Sequence, residues 1–381
     1  MLDEALLDDP ESLTRGDAQG LLRALASAGA RVRTAARLAD EAGLAALRPD
    51  GRPRNVLVAG QGPAVHAGEL LGAVAGAACP VLTLRPASGA DGFPHWTLPG
   101  WAGSLDLLLL ATPNGAEAGL ANLVEQAYQR GCSVVAVTPP ESPLSEAAEQ
   151  ARGLSLPFAP APFASEPSLP AQPGLEDAAE DAGALWALLV PLLILADRLG
   201  TGSVPASAVQ SAADRLDEMA SRCGPATATY QNPAKTLATE LTDTLPLLWS
   251  EGMAADAIAR RFASCLAERA GIPALPAALP DALIDHRGLL AGSLSPGGVE
   301  DDFFRDRLEE PKALRPRVVL MREYVDGTLA SEATAAHRAA RANNTALSEV
   351  SASADSTLER AAQMLALTDF ASAYLALADR S

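Results

Sequence analysis

The stretch Asn55-Val56-Leu57-Val58-Ala59 runs directly into Gly60-Gln61-Gly62 and then into the Ala-rich segment 64–77. A short, continuously apolar run that stops at glycines and gives way to helical periodicity is the pattern of a strand buried on both faces. It recurs. Residues 105–111 lead through Thr112-Pro113-Asn114-Gly115 into a helix expected over 118–130, and residues 133–138 lead to another helix near Ser145. Val81-Leu82-Thr83-Leu84 adds a further strand. Strands alternating with helices in this way predict an α/β chain whose parallel sheet is doubly wound, with helices on both faces.

The 381 residues correspond to two or three domains at about 150 residues each. Residues 1–48 carry Leu21, Leu22, Leu25, Val32 and Leu38 at helical steps. Residues 153–174 are rich in proline, follow neither period and predict a linker. Beyond it, helices are expected over 177–199 and 206–222, strands over 244–249, 317–321 and 348–353, and helices over 254–269 and 357–378. The expected organisation is therefore an N-terminal α/β domain over 1–155 with leading helices, a Pro/Ala-rich linker over 156–175, and a second doubly wound domain over 176–381.

Charge narrows the partners. Twenty-nine Lys and Arg against 47 Asp and Glu give −18, which disfavours nucleic acid and anionic membrane surfaces. The four cysteines lie far apart and show no zinc-type spacing, so neither a disulfide framework nor a metal is expected. Met1-Leu2-Asp3-Glu4 is acidic where a secretory leader is basic, and the longest apolar run, 184–196, is too short to span a bilayer and contains Pro191. A cytoplasmic protein is expected.

Several segments could carry chemistry. The turn at Gly60 and Gly62 stands where an open parallel sheet places a ligand, at a helix N-terminus whose N–H groups favour anions. Tight turns without a ligand would look the same. A nicotinamide cofactor using Gly60, Gly62 and Arg85 is a third reading, although the glycine spacing does not match the dinucleotide fingerprint. Thr112, Asn114 and Gly115 could cap a helix or bind a phosphate. Lys235, in the first turn of a helix after Asn232-Pro233-Ala234, opposes the helix dipole; it is either a solvated lysine or the mark of an anionic partner. Glu268 and His286 are the carboxylate and imidazole able to act as an acid/base pair in the second half, with a solvated surface charge as the plain reading of Glu268.

Taken together, these segments resemble the sugar isomerase (SIS) superfamily, and among its members the bifunctional phosphoglucose/phosphomannose isomerases with two SIS domains. The resemblance rests on Asn232-Pro233-Ala234-Lys235-Thr236-Leu237-Ala238, on the order Arg260-Arg261, Glu268, Leu279-Pro280-Asp281 and His286, and on a closing helix with Leu367, Asp369, Ser372, Tyr374, Leu375 and Ala376. It implies a homodimer without cofactor that binds a sugar phosphate or sugar derivative and interconverts aldose and ketose. Glu268 would move the C1/C2 proton through an enediol, and His286, contributed from a second subunit, would open the ring. Gly60, Gly62, Thr112, Asn114, Gly115 and Lys235 would bind substrate.

The first half departs from the family. Where the family has Gly-Met-Gly-Gly-Ser this chain has Gly60-Gln61-Gly62-Pro63-Ala64, and the loop Ser-Tyr-Ser-Gly-Asn-Thr is replaced by Thr112-Pro113-Asn114-Gly115-Ala116-Glu117. At about 1.5–3 kcal/mol for each hydrogen bond to a charged group, three lost hydroxyls cost on the order of 4–9 kcal/mol of phosphate binding. A non-catalytic sugar-sensing or interaction protein on the same fold is the alternative.

Overall fold

The computed structural model describes residues 4–44, 47, 51–89, 92–161, 182–291, 314–323, 330–354 and 356–378. Two short helices open it, α1 (Glu4–Leu7) and α2 (Pro10–Gly16). The chain then divides into two compact units, one formed by Gln19–Glu218 and the other by Met1–Ala18 together with Met219–Ser381.

The unit Gln19–Glu218 begins with α3 (Leu21–Ala26) and α4 (Ala28–Glu41). It continues through β1 (Val56–Ala59), α5 (Pro63–Ala75), β2 (Val81–Leu84), the small hairpin β3 (Ala87–Ser88) and β4 (Pro94–His95), β5 (Leu107–Ala111) and α6 (Ala118–Arg130). Then come β6 (Ser133–Thr138), α7 (Pro143–Gln150), β7 (Leu154–Pro157), α8 (Ala184–Arg198) and α9 (Ala206–Cys223), inside which the chain passes to the other unit. The sheet is parallel in the order β2-β1-β5-β6-β7. Every residue of β1 and β5 is buried, which is why both strands read as unbroken apolar runs. On one face Leu57, Leu108, Leu110 and Val134 pack against Leu120, Leu123 and Val124 of α6 and Leu144 of α7.

Two sequence expectations change here. Residues 154–157, assigned to the linker, form the edge strand β7, where Pro157 can stand because an edge strand leaves one side of its backbone outside the ladder. The helix expected over 177–199 is described from Ala184; residues 162–181, which take in most of the linker and the start of that expected helix, lie outside the described residues. Helix α8 runs through Pro191, is buried along almost its whole length and packs on α4 and α5. It and most of α9 therefore belong with the first sheet, where the sequence grouping had started the second domain at 176.

In the other unit α10 (Pro233–Leu241), β8 (Thr244–Glu251), α11 (Met253–Ala270), β9 (Leu275–Ala278), α12 (Ala282–Asp285), α13 (Arg287–Ala291), β10 (Arg315–Arg322), α14 (Ala330–Ala342), β11 (Ala346–Ser351) and α15 (Thr357–Ala378) follow in order. Its sheet is parallel in the order β11-β10-β8-β9. Both sheets wind first to one side of their opening strand and then to the other, so the direction reverses between β1 and β5 in one and between β8 and β10 in the other. Such reversals are where ligands settle in open α/β sheets.

Helix α15 is long and apolar enough to cross a membrane by length and composition, yet 83% of that apolar window is buried inside the protein. It is a core helix, packed on α10 and α11. Two of its buried polar residues hold it to α11: Asp369 takes two hydrogen bonds of 3.0 Å from Arg261, and Ser372 accepts one of 2.9 Å from Arg269.

Candidate functional site

At the first reversal the turn after β1 is drawn tightly onto the end of β5. A Cβ added to Gly60 would lie 2.3 Å from the carbonyl oxygen of Ala111 and 2.4 Å from the Cβ of Ala64, so only glycine fits. Gly62, the N-cap of α5, has φ of 52°. Pro63 has no N–H, and the next two donors turn inward, Ala64 N–H to Gln61 O and Val65 N–H to Gly62 O, each at 3.1 Å.

The loop after β5 also closes on itself. The buried hydroxyl of Thr112 accepts from Asn114 N–H at 3.1 Å and from Gly115 N–H at 3.4 Å, and donates its own proton in a very short bond to Oε1 of Glu117. Glu117 is the N-cap of α6. Its second oxygen, Oε2, is sealed from solvent and has no hydrogen-bond partner among the described residues. Gly115, at φ of 76°, sits so close to Thr138 and Ser142 that an added Cβ would be 2.4 and 2.5 Å from their hydroxyls. Gly60, Gly62, Thr112, Asn114 and Gly115 thus lie on the two loops that follow β1 and β5, the strands between which the sheet reverses. Glu117, the carboxylate that the sequence adds to the segment 112–117, is not among the site residues expected from the sequence.

The second reversal holds charges of the chain's own. Glu251 and Arg322, paired in register at the ends of β8 and β10, form an ion pair at 2.7 Å, and Arg322 also reaches Glu349 at 3.2 Å. The carboxylate of Glu323 accepts from Ala254 N–H at 3.3 Å, at the start of α11, and presses on Gly252, whose φ is 106°. A carboxylate thus occupies a helix entry of the kind that attracts anions.

Lys235 is placed differently from the expectation of a substrate ligand. It is fully buried, and its ammonium group donates to the carbonyl oxygens of Leu7 at 2.6 Å, Pro225 at 2.8 Å and Thr227 at 2.8 Å. An ammonium has three protons and all three are used, so no donor is left for a ligand. Burial lowers its pKa below the ordinary lysine value, with Asp8 opposing that shift. The surrounding motif is structural too: Asn232 caps α10 by accepting from Ala234 and Lys235 N–H and donates to Gly224 O, and Pro233 takes the first helical position. The sequence signal was available, because Lys235 lies among Ala234, Leu237, Ala238 and Leu241 on the buried side of the helix.

His286, between α12 and α13, is 8% exposed. The indole N–H of the buried Trp249, on β8, donates to its Nδ1 at 2.8 Å. Burial lowers the imidazole pKa, against the opposing charge of Asp285, so the ring is held neutral. With Nδ1 accepting, its proton resides on Nε2. Glu268 is exposed near the end of α11, and its charge acts on Arg261 and Cys265 of the same helix. The fold sets these two residues in different surroundings, a buried imidazole under β8 and a carboxylate beside the Arg261–Asp369 pair. Among the described residues no group of three or more His, Cys, Asp and Glu could hold a metal ion.

Residues 230–380 match a family model described as the bacterial phospho-glucose isomerase C-terminal SIS domain. These residues are a SIS domain. No curated protein sequence matches the chain. Among solved structures, it resembles a hypothetical protein from Thermus thermophilus at 14% identity, covering 98% of this chain and 89% of that one with a TM-score of 0.60. A candidate phosphosugar isomerase from Silicibacter pomeroyi aligns at 16% identity over 97% and 98% of the two chains, TM-score 0.57. Another candidate phosphosugar isomerase, from Salmonella typhimurium, aligns at 15% over 92% and 94%, TM-score 0.55. At these identities the neighbours establish the fold alone, a mixed α/β chain with two doubly wound parallel sheets.

Proposed function

We propose that this chain is a sugar-binding SIS protein of the aldose/ketose isomerase type, acting on a glucose- or mannose-type sugar or a related derivative as a cytoplasmic homodimer. The observation that carries the reading is His286 within a SIS domain of the phospho-glucose isomerase C-terminal family. The Trp249 indole fixes its tautomer, and burial keeps it uncharged at neutral pH. A neutral imidazole with its proton on Nε2 is a hydrogen-bond donor to the ring oxygen during opening and to the oxygen that gains negative charge in the enediol. Glu268 is the base in this reading: it takes the proton from C2 of the open-chain aldose and returns it to C1, so the net reaction consumes neither proton nor electron.

Solvent deuterium incorporation at C2 of the aldose or C1 of the ketose tests it, with glucose, mannose and fructose and their 6-phosphates as substrates. Wild-type protein is expected to exchange at least one of these sugars, and Glu268→Gln to lower the rate by roughly 10³-fold or more. No exchange with any sugar sinks the catalytic reading, and unchanged exchange in the variant removes Glu268 as the base.

The second reading, a non-catalytic sugar-sensing protein, is favoured by the loops at Gly60 and Thr112, whose donors are turned inward. In that case Glu268→Gln keeps ligand affinity, and no sugar exchanges.

A further inference from the structure

His286 sits where α12 ends and α13 begins, and its main chain is held from both sides: its N–H donates to Ala282 O at 3.1 Å, and its carbonyl oxygen accepts from Leu289 and Leu290 N–H at 3.0 and 3.1 Å. Only the side-chain torsions are left to set. Among the described residues the imidazole makes one hydrogen bond, the one that Trp249 donates to Nδ1, so Nε2–H is not spent on a partner there. The donor is rigid. Trp249 is fully buried near the end of β8, in a core cluster with Leu247 and Leu320 of the sheet, Ala282 of α12 and Leu290 of α13. An indole has an N–H and no acceptor, and Nδ1 accepts only while it carries no proton. A proton on Nδ1 would set two donors against each other in apolar surroundings, and the ring would have to turn away. Asp285 is the charged group that acts on the ring, and it favours the protonated form.

We propose that Trp249 is a positioning residue and that its bond to His286 is an acid-sensitive latch: the indole aims the imidazole with Nε2–H presented, and one proton on Nδ1 releases it. That proton comes from solvent and returns to it, and no bond between heavy atoms changes. The inference rests on the reading that His286 serves a sugar. It goes beyond that reading in naming the residue that holds His286 in place and the condition that frees it. Trp249→Phe is the informative substitution, because an aromatic ring stays in the core while the N–H is removed.

The test is NMR titration of the full chain, with the Trp249 indole signal identified by its loss in Trp249→Phe and the His286 ring signals by their loss in His286→Gln. In wild type the Trp249 indole N–H should shift in step with the titration of His286, whose midpoint lies below 6.5. In Trp249→Phe the midpoint should rise by about 0.5–1 pH unit, the size of one neutral hydrogen bond made to one protonation state. The acid limb of the deuterium-exchange rate should move up by the same amount. An indole signal indifferent to His286 in wild type overturns the proposal whether or not the variant folds. So does an equal midpoint in the folded variant, or an acid limb that stays put while the midpoint moves. If no sugar exchanges, the catalytic reading falls alone, and the two NMR readings decide the latch.

Discussion

Replacing Lys235 by methionine keeps the length and apolar stem of the side chain and deletes the ammonium group. Three carbonyl oxygens then lose their donor, those of Leu7, Pro225 and Thr227. Each hydrogen bond to a charged group contributes about 1.5–3 kcal/mol, so the gross loss is roughly 4.5–9 kcal/mol. Methionine also removes the cost of burying a cation, which is several kcal/mol. A net destabilisation of about 3–5 kcal/mol is expected, because three buried carbonyl oxygens are left unsatisfied at about 1–3 kcal/mol each and the relieved cation offsets part of that. For a cooperative unit of this size it corresponds to a fall in Tm of roughly 6–20 °C. Because Leu7 is one of the three acceptors, the front segment should also loosen. Thermal unfolding followed by circular dichroism, with limited proteolysis mapped by mass spectrometry, reads both effects: lower Tm and new cleavage within residues 4–16. A loss below about 1 kcal/mol with unchanged protection of that segment would refute the reasoning.

Two further outcomes are expected. Asp369→Asn leaves the buried Arg261 without its counter-charge and should cost about 3–5 kcal/mol in urea unfolding, with little change in the m-value. His286 should make the fold acid-sensitive. Its pKa in the folded protein lies below the ordinary 6.5, so the unfolded chain binds more protons as pH drops through that value. Stability is fully present above about pH 6.5 and declines below it at up to about 1.4 kcal/mol per pH unit for this one group. Comparing wild type with His286→Gln between about pH 7.5 and 5.5 isolates the contribution, and identical pH profiles would exclude it.

The elements most legible in the sequence are those whose ends are marked chemically. The helix 118–130 and the strand 133–138 have in the structure the bounds that the sequence predicts, because Gly131 supplies a left-handed C-cap and the strand's buried positions are nearly all apolar. Strand β8 runs two residues further than its apolar pattern, since Ser250 and Glu251 find partners in Asp256 and Arg322 and can stay in the ladder. Edge strand β7 was hidden by Pro157 and by the prolines that follow it. The two sheets follow from periodicity, whereas the membership of α8 does not, because a helix apolar on every side has no face to show which sheet it covers.

The site divides in a similar way. Glycines betray close backbone approach, and Gly60 and Gly115 could be read from that property alone. The roles of Lys235 and Glu117 depend on groups that sequence spacing cannot bring together: a carbonyl 228 positions away in one case, and in the other a hydroxyl five residues back whose proton had one acceptor to choose. Lys235 looked like a ligand for an anion because the helix dipole was weighed and three carbonyl oxygens were not.

The bond from Lys235 to Leu7 also bears on the order in which the molecule assembles. It closes a loop of 228 residues, for which chain entropy costs about 5 kcal/mol before any constant term. Most of that loop is the unit Gln19–Glu218, an insertion within the other unit. Once the insertion has folded, only about 30 flexible residues remain to be closed, and the cost falls by roughly 2 kcal/mol if its ends meet, as domain termini commonly do. The segment around Leu7 leaves the ribosome long before its donor exists, waits through the synthesis of an entire α/β unit, and is fixed only when Lys235 arrives.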